Sequence, residues 1–333
     1  MSITRYCTGL LGVWLAAFIT PVRGASADDA TFLLTHGRVV FVGDSITYSG
    51  QYVEYLETAL RLKFPDRHPV VLNLGLPSET VSGLSEPGHA GGQFPRPDLH
   101  ERLSRLLEQA KPDVVVACYG MNDGIYHPLG EERFAAFRSG IERLHAAVTR
   151  AGARIIHITP PTFDAVPIRG QTLPAGLKEY RSPYEGYNQV LDRYAQWLME
   201  RRAEGWRVID IHTPMNRRLE EARKSNPGFR FAGDGVHIDA AGHWLITQTI
   251  LRDLGLDAMA EGQDFEHGPG RDPRAAKVLE SVQKRQRALK DTWLTHVGHK
   301  RPGMAKGASM ESANAVAAEM ESRIEQALKT TVP

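Results

Sequence analysis

Five short, almost uninterrupted apolar runs, separated by segments with helical periodicity, limit this chain more than any other feature. The runs are Arg38-Val39-Val40-Phe41-Val42, Val70 to Leu74, Asp113 to Cys118, Arg154 to Ile158 and Trp206 to Asp210. Such runs suit strands covered on both faces. Between them, apolar residues recur at helical spacing: Tyr52, Val53, Leu56, Leu60; Leu103, Leu106, Leu107, Ala110; Phe134, Phe137, Ile141, Leu144, Val148; and Tyr187, Val190, Leu191, Tyr194, Leu198. Alternating strands and helices predict an α/β fold with a mainly parallel five-stranded sheet between two helical layers. Functional groups in such a sheet collect beyond the carboxyl ends of the strands.

The charge balance narrows the possible partners. The 333 residues carry a formal net charge of +1, so no global field draws in nucleic acid or an anionic membrane. Near the amino terminus, Arg5, an apolar run from about Leu10 to Ile19 and Ala25-Ser26-Ala27 match a cleavable secretory signal over 1–27. Cleavage after Ala27 would send the chain to the periplasm or the medium, without stable membrane insertion, because the run is short for a bilayer span. An uncleaved anchor is the alternative. Cys118 would then be the one remaining cysteine, in a run that suits a core thiol. A main α/β domain is expected over 28–262. A helical hairpin follows over 263–333, with helices carrying Val278, Val282, Leu289 and Trp293 and then spanning about Met310 to Leu328. Arg274, Lys277, Lys284, Arg285, Arg287 and Lys290 should form a solvated basic face. Trp293, His296, His299 and Arg301 near the hairpin turn either pack or reach over the cleft.

Gly43-Asp44-Ser45 follows the first strand and turns toward a helix. Ser45 there is either a nucleophile or part of a helix start. A hydroxyl nucleophile needs a base. His237 in Asp234-Gly235-Val236-His237 supplies one, and Asp234 can curl back to orient it. Asp239 and His243 form a second Asp/His pair, with Asp239 better suited to a helix cap. Oxyanion donors are available from Gly75, at the end of the second strand, and Asn122, after the third. Sheet topology would bring all of these to one edge.

These blocks resemble those of the SGNH hydrolases, also called the GDSL-type lipase/esterase family. Gly43-Asp44-Ser45-Ile46-Thr47, Asn73-Leu74-Gly75, Gly120-Met121-Asn122-Asp123 and Asp234-Gly235-Val236-His237 occur in the family's order. The resemblance implies a three-layer α/β/α sandwich with a flavodoxin-like sheet. It also implies a Ser45–His237–Asp234 triad, and an oxyanion hole from the Ser45 and Gly75 N–H groups and the Asn122 amide, with no metal or cofactor. One departure stands out. The position three residues after Gly75, usually glycine, is Ser78.

Two long loops, Gly83 to His100 and Pro160 to Pro183, carry Glu86, His89, Phe94, Phe163, Asp164 and Tyr180; loops this long are either functional or surface decoration. Asp44, Glu79, His89 and Tyr180 are the expected substrate contacts. Polar, aromatic loops suit a glycan O-acetyl ester. A general short-chain esterase or a lysophospholipase-like hydrolase is the same-class alternative, and a non-catalytic carbohydrate-binding protein is the other. A metallophosphoesterase could draw on Asp44, Asn122, Asp123 and His237, but would need further Asp and His ligands near the first strands. No oligomeric state is implied.

Overall fold

The computed structural model describes residues 31–330 apart from 33; the expected signal segment 1–27 lies outside them. The five apolar runs form strands β1 (Arg38–Gly43), β2 (Val70–Asn73), β3 (Val114–Cys118), β4 (Arg154–Ile158) and β5 (Arg207–Ile209). All pairings are parallel, in the order β2-β1-β3-β4-β5. Val39, Val40, Phe41 and Val42 are each no more than 2% exposed, which is why this sequence tolerates only the centre of a covered sheet.

The helices are α1 (Ser45–Ser49), α2 (Gln51–Lys63), α3 (Leu99–Ala110), α4 (Glu131–Arg150), α5 (Tyr187–Glu200), α6 (His212–Ser225) and α7 (Ala240–Asp253), and the four predicted stripes fall on α2, α3, α4 and α5. Right-handed crossovers put α2 on one face and α3, α4 and α5 on the other, because the chain reverses direction across the sheet after β2. Helix α7 packs on α2. Helix α6 had no expected stripe: it buries only His212, Met215 and Leu219, too few to register as a period.

Helices α8 (Ala275–Val297) and α9 (Met310–Leu328) form the expected hairpin. Helix α8 touches α2, β2 and α3, so it lies along the β2 edge of the sheet. An uncovered edge exposes unpaired backbone groups. Here the Gln286 side chain donates to the Val71 carbonyl at 3.1 Å and to Glu57 at 2.9 Å. Leu289, Trp293, Leu294 and Val297 join the main core. The solvated basic face is a mistaken expectation at Arg285. Its side chain is 6% exposed and pairs with Glu57 of α2 and Glu321 of α9. Arg61, fully buried, also meets Glu321. Apolar burial of the surrounding helix drew these charges inward together, each with a partner.

A buried pair contributes little net stability but is costly to break. Arg285→Met should therefore destabilise the protein by about 3–5 kcal/mol, and Glu57→Gln/Arg285→Met should recover much of that loss in urea unfolding. A single variant within about 1 kcal/mol of wild type would show that the pair is effectively solvated.

Candidate active site

The serine sits where strand order reverses. Strand β1 lies between β2 and β3, and the crevice at such a switch point opens beyond the strands' carboxyl ends. Ser45 is the first residue of α1, directly after β1, and is half-buried. Gly50, at φ 82°, ends α1 and lets the chain restart as α2.

Asp234 organises the loop before α7. One carboxylate oxygen accepts the backbone N–H groups of Val236 (3.0 Å) and His237 (2.8 Å). The other lies 2.6 Å from His237 Nδ1. A carboxylate only accepts, so Nδ1 carries the proton and neutral Nε2 presents a lone pair. Nε2 lies 2.9 Å from Ser45 Oγ. Partial burial alone would raise the Asp234 carboxyl, but these hydrogen bonds hold it below its ordinary value. His237 and Asp234 are both more than half exposed, so the site opens to solvent. The second Asp/His pair does something else. Asp239 caps α7 through the Gly242 N–H, and His243 Nε2 meets Ser49.

Asn122 follows β3, across the switch point from Ser45. Its Oδ1 accepts from the Tyr126 hydroxyl at 3.1 Å and its Nδ2 donates to the Glu79 carbonyl at 3.2 Å. The Tyr126 hydroxyl thereby fixes which way the amide faces, leaving one Nδ2 hydrogen unspent. Ile125 and Tyr126 both hold positive φ, at 48° and 57°. Two successive non-glycine residues in that region mark stored strain beside the site.

Three expected contacts change role. Gly75 donates its N–H to Asn73 Oδ1 at 3.0 Å, and a Cβ there would meet the Tyr48 nitrogen at 2.5 Å. Its glycine character thus serves close packing under α1, and its N–H is already engaged. Glu79 is fully buried, bonded to Arg102 and to the Tyr119 hydroxyl at 2.6 Å. Asp44 is 3% exposed and caps α1 through the Ile46 N–H at 2.9 Å. Neither carboxylate faces substrate. Asp123 likewise spends an oxygen on the Val81 and Ser82 N–H groups. His89 and Tyr180 do line a common cleft.

Ser78 was not foreseen as a donor. It sits at φ 68°, the left-handed conformation that explains glycine at this position in the resembling pattern. Its turn is held at one end by Leu76 N–H to Gly43 (2.9 Å) and at the other by Asn122 on Glu79. Among the described residues nothing accepts from the backbone N–H of Ser78 or of Ser45. Arg96 and Tyr126 were also missed: each lies in an irregular loop, where no periodicity marks it.

The model of the GDSL-like lipase/acylhydrolase family matches residues 41–245, about three fifths of the chain. The chain belongs to the GDSL-like lipase/acylhydrolase family. It is a carboxylic-ester hydrolase. Similar solved structures include BT4096, described as a gut microbial diltiazem-metabolizing enzyme (21% identity, 66% of this chain and 47% of that chain, TM-score 0.48). This chain thus spans about half the length of BT4096. A variant of Axe2, an acetyl xylan esterase from Geobacillus stearothermophilus, is another (22% identity, 66% and 95%, TM-score 0.48). So is the acetyl xylan esterase AlAXEase (17%, 65% and 98%, 0.47). No curated protein sequence matches. Among the described residues no helix is long and apolar enough to cross a membrane.

Burial pushes the Asp44 carboxyl from 3.8 to about 7, against the Ile46 hydrogen bond and with help from Asp123. The folded state then holds a proton that the unfolded chain releases, so this group's contribution is intact below pH 3.8 and lost as pH rises through about 7. In Asp44→Asn the amide oxygen still caps α1. Urea midpoints should show the wild type losing ground to this variant between pH 5 and pH 8. A constant or reversed difference would mean that Asp44 is ionised throughout.

Proposed function

We propose that Ser45 is the nucleophile of a serine esterase, His237 its general base and Asp234 the residue that orients the base. The continuous hydrogen-bond chain from Ser45 Oγ through His237 to Asp234, at 2.9 and 2.6 Å, carries this reading. His237 Nε2 takes the Ser45 proton as Oγ attacks the ester carbonyl. Asp234, hydrogen-bonded to Nδ1, stabilises the imidazolium that forms. The oxyanion then accepts from the unspent N–H groups of Ser45 and Ser78 and from Asn122 Nδ2, donors held in place before the charge develops. His237 returns the proton to the leaving alcohol, and water releases the acyl group by the same steps in reverse.

The substrate in this reading is an O-acyl, chiefly O-acetyl, ester on a carbohydrate. Its support is the open, polar mouth of the site: His237 and Asp234 are exposed, and the neighbouring cleft carries Arg96, Glu86, His89 and Tyr180. Residues 28–262 are read as the hydrolase unit and 263–333 as an extension, whose helix α8 lies along the β2 edge. Residues 1–27 are read as an export signal to the periplasm or medium.

Acetate release from a panel of acetylated glycans should fall by about a thousandfold or more in Ser45→Ala, with the circular dichroism spectrum and unfolding midpoint retained. Unchanged release would remove Ser45 from the chemistry. It would also favour a binding protein contaminated by another esterase.

A further inference from the structure

A cleft of about 780 Å³ lies between the loops 83–100 and 160–183. It reaches the proposed site through one residue. Tyr126 lines the cleft while its hydroxyl holds Asn122. Whatever occupies the cleft therefore lies within a tyrosine's length of the amide that would face the reacting carbonyl.

Arg96 is built into this cleft. Its side chain is 6% exposed, and Nε and Nη2 grip Glu86 at 2.7 and 2.6 Å. Its guanidinium also lies 5.3 Å from the centre of the Tyr126 ring. Among the described residues Nη1 has no acceptor, and the buried Nε2 of His89, whose Nδ1 donates to Glu86 at 3.3 Å, has no donor. A buried polar atom such as His89 Nε2 is costly to leave without a partner, and a hydroxyl can donate to it while accepting from Arg96 Nη1. Tyr180 closes the far side, its ring 5.1 Å from that of His127.

We infer that this cleft is the subsite for the alcohol portion of the ester and that it takes a neutral sugar ring, with Arg96 as its anchor. The inference rests on the carbohydrate reading above. The chemistry of the walls selects the class. Arg96 is matched by Glu86, so the buried wall offers adjacent donors and acceptors with its charges paired, the pattern that vicinal hydroxyls satisfy, while Lys178, Glu179 and Arg181 lie at the exposed rim. A phosphate headgroup would face the Glu86 carboxylate. An acyl chain would leave Arg96 Nη1 and His89 Nε2 unpaired. The half-buried rings of Tyr180 and His127 supply apolar faces for a sugar's C–H surface.

The test compares kcat and KM of wild type, Arg96→Met and Tyr180→Ala on acetylated xylotetraose, mannotetraose and cellotetraose and on 4-nitrophenyl acetate. Tyr180→Ala guards against misfolding, because Tyr180 lies at the rim. For the best tetrasaccharide, Arg96→Met should lose about tenfold to a hundredfold more kcat/KM than for the aryl ester, mainly through KM; Tyr180→Ala should lose in the same sense. Equal losses on both kinds of substrate, or none on the tetrasaccharide, overturn the subsite. If wild type cleaves the aryl ester but no acetylated tetrasaccharide, the carbohydrate reading of the reaction fails. The subsite is then decided by titrating Ser45→Ala protein with the unacetylated tetrasaccharides. Binding that Ser45→Ala/Arg96→Met loses upholds it, and absence of binding overturns it.

Discussion

Strand β1 can exist only where both its faces and both its edges are covered, and the rest of the molecule is arranged around that demand. Its apolar residues pair with β2 on one side and β3 on the other. The chain leaves β1 at Gly43 with neighbours that continue in opposite directions across the sheet. The crevice between those departures lets a side chain at the end of a central strand meet solvent. Ser45 and Asn122 flank that crevice because each follows one of its two strands. The Asp234–His237 loop reaches it as the entry to α7, the helix packed on α2.

The same demand explains the hairpin beyond residue 262. Among the described residues no sixth strand lies beside β2, and α8 takes that place. Gln286 satisfies a carbonyl of the edge strand, and Arg285 brings a charge into the space between α2 and α9 with two carboxylates to meet it. The hairpin also bears on α1, the helix that Ser45 begins. Lys290 donates to the Tyr48 carbonyl at 2.7 Å and lies over its ring, and the Tyr48 hydroxyl donates to Asp291 at 2.9 Å. At the turn, Arg301 rests on Phe94 of the loop that carries Arg96. The extension thus braces both the helix of Ser45 and one wall of the cleft.

What could be read in the residues follows from how local the physics is. Strands with four or five apolar residues in succession and helices with three-turn stripes announce themselves, and the order of the four blocks places Ser45, Asn122, Asp234 and His237 together. Burial of single polar groups is not local. Nothing in the string Asp44-Ser45 says that the carboxylate faces the Ile46 N–H in the protein interior. Nor does Ser78-Glu79 announce that Glu79 is walled off by Arg102 and Tyr119. Gly75 and Ser78 differ by three positions in one turn. Only the conformation reveals that the first N–H is held by Asn73 and the second is unspent. Arg285 read as part of a basic face because its helix is basic, while its partners Glu57 and Glu321 lie 228 residues before it and 36 after it. Arg96 and Tyr126 lie in irregular loops, where spacing has no meaning.

The central claim is that the Asp234–His237 pair activates Ser45 and no other hydroxyl. Covalent labelling with a fluorophosphonate, followed by peptide mass spectrometry, tests it most directly. One adduct is predicted, on the peptide containing Ser45, forming in step with loss of esterase activity and suppressed in His237→Ala. An adduct on another residue, or full inactivation with Ser45 unmodified, would contradict the account.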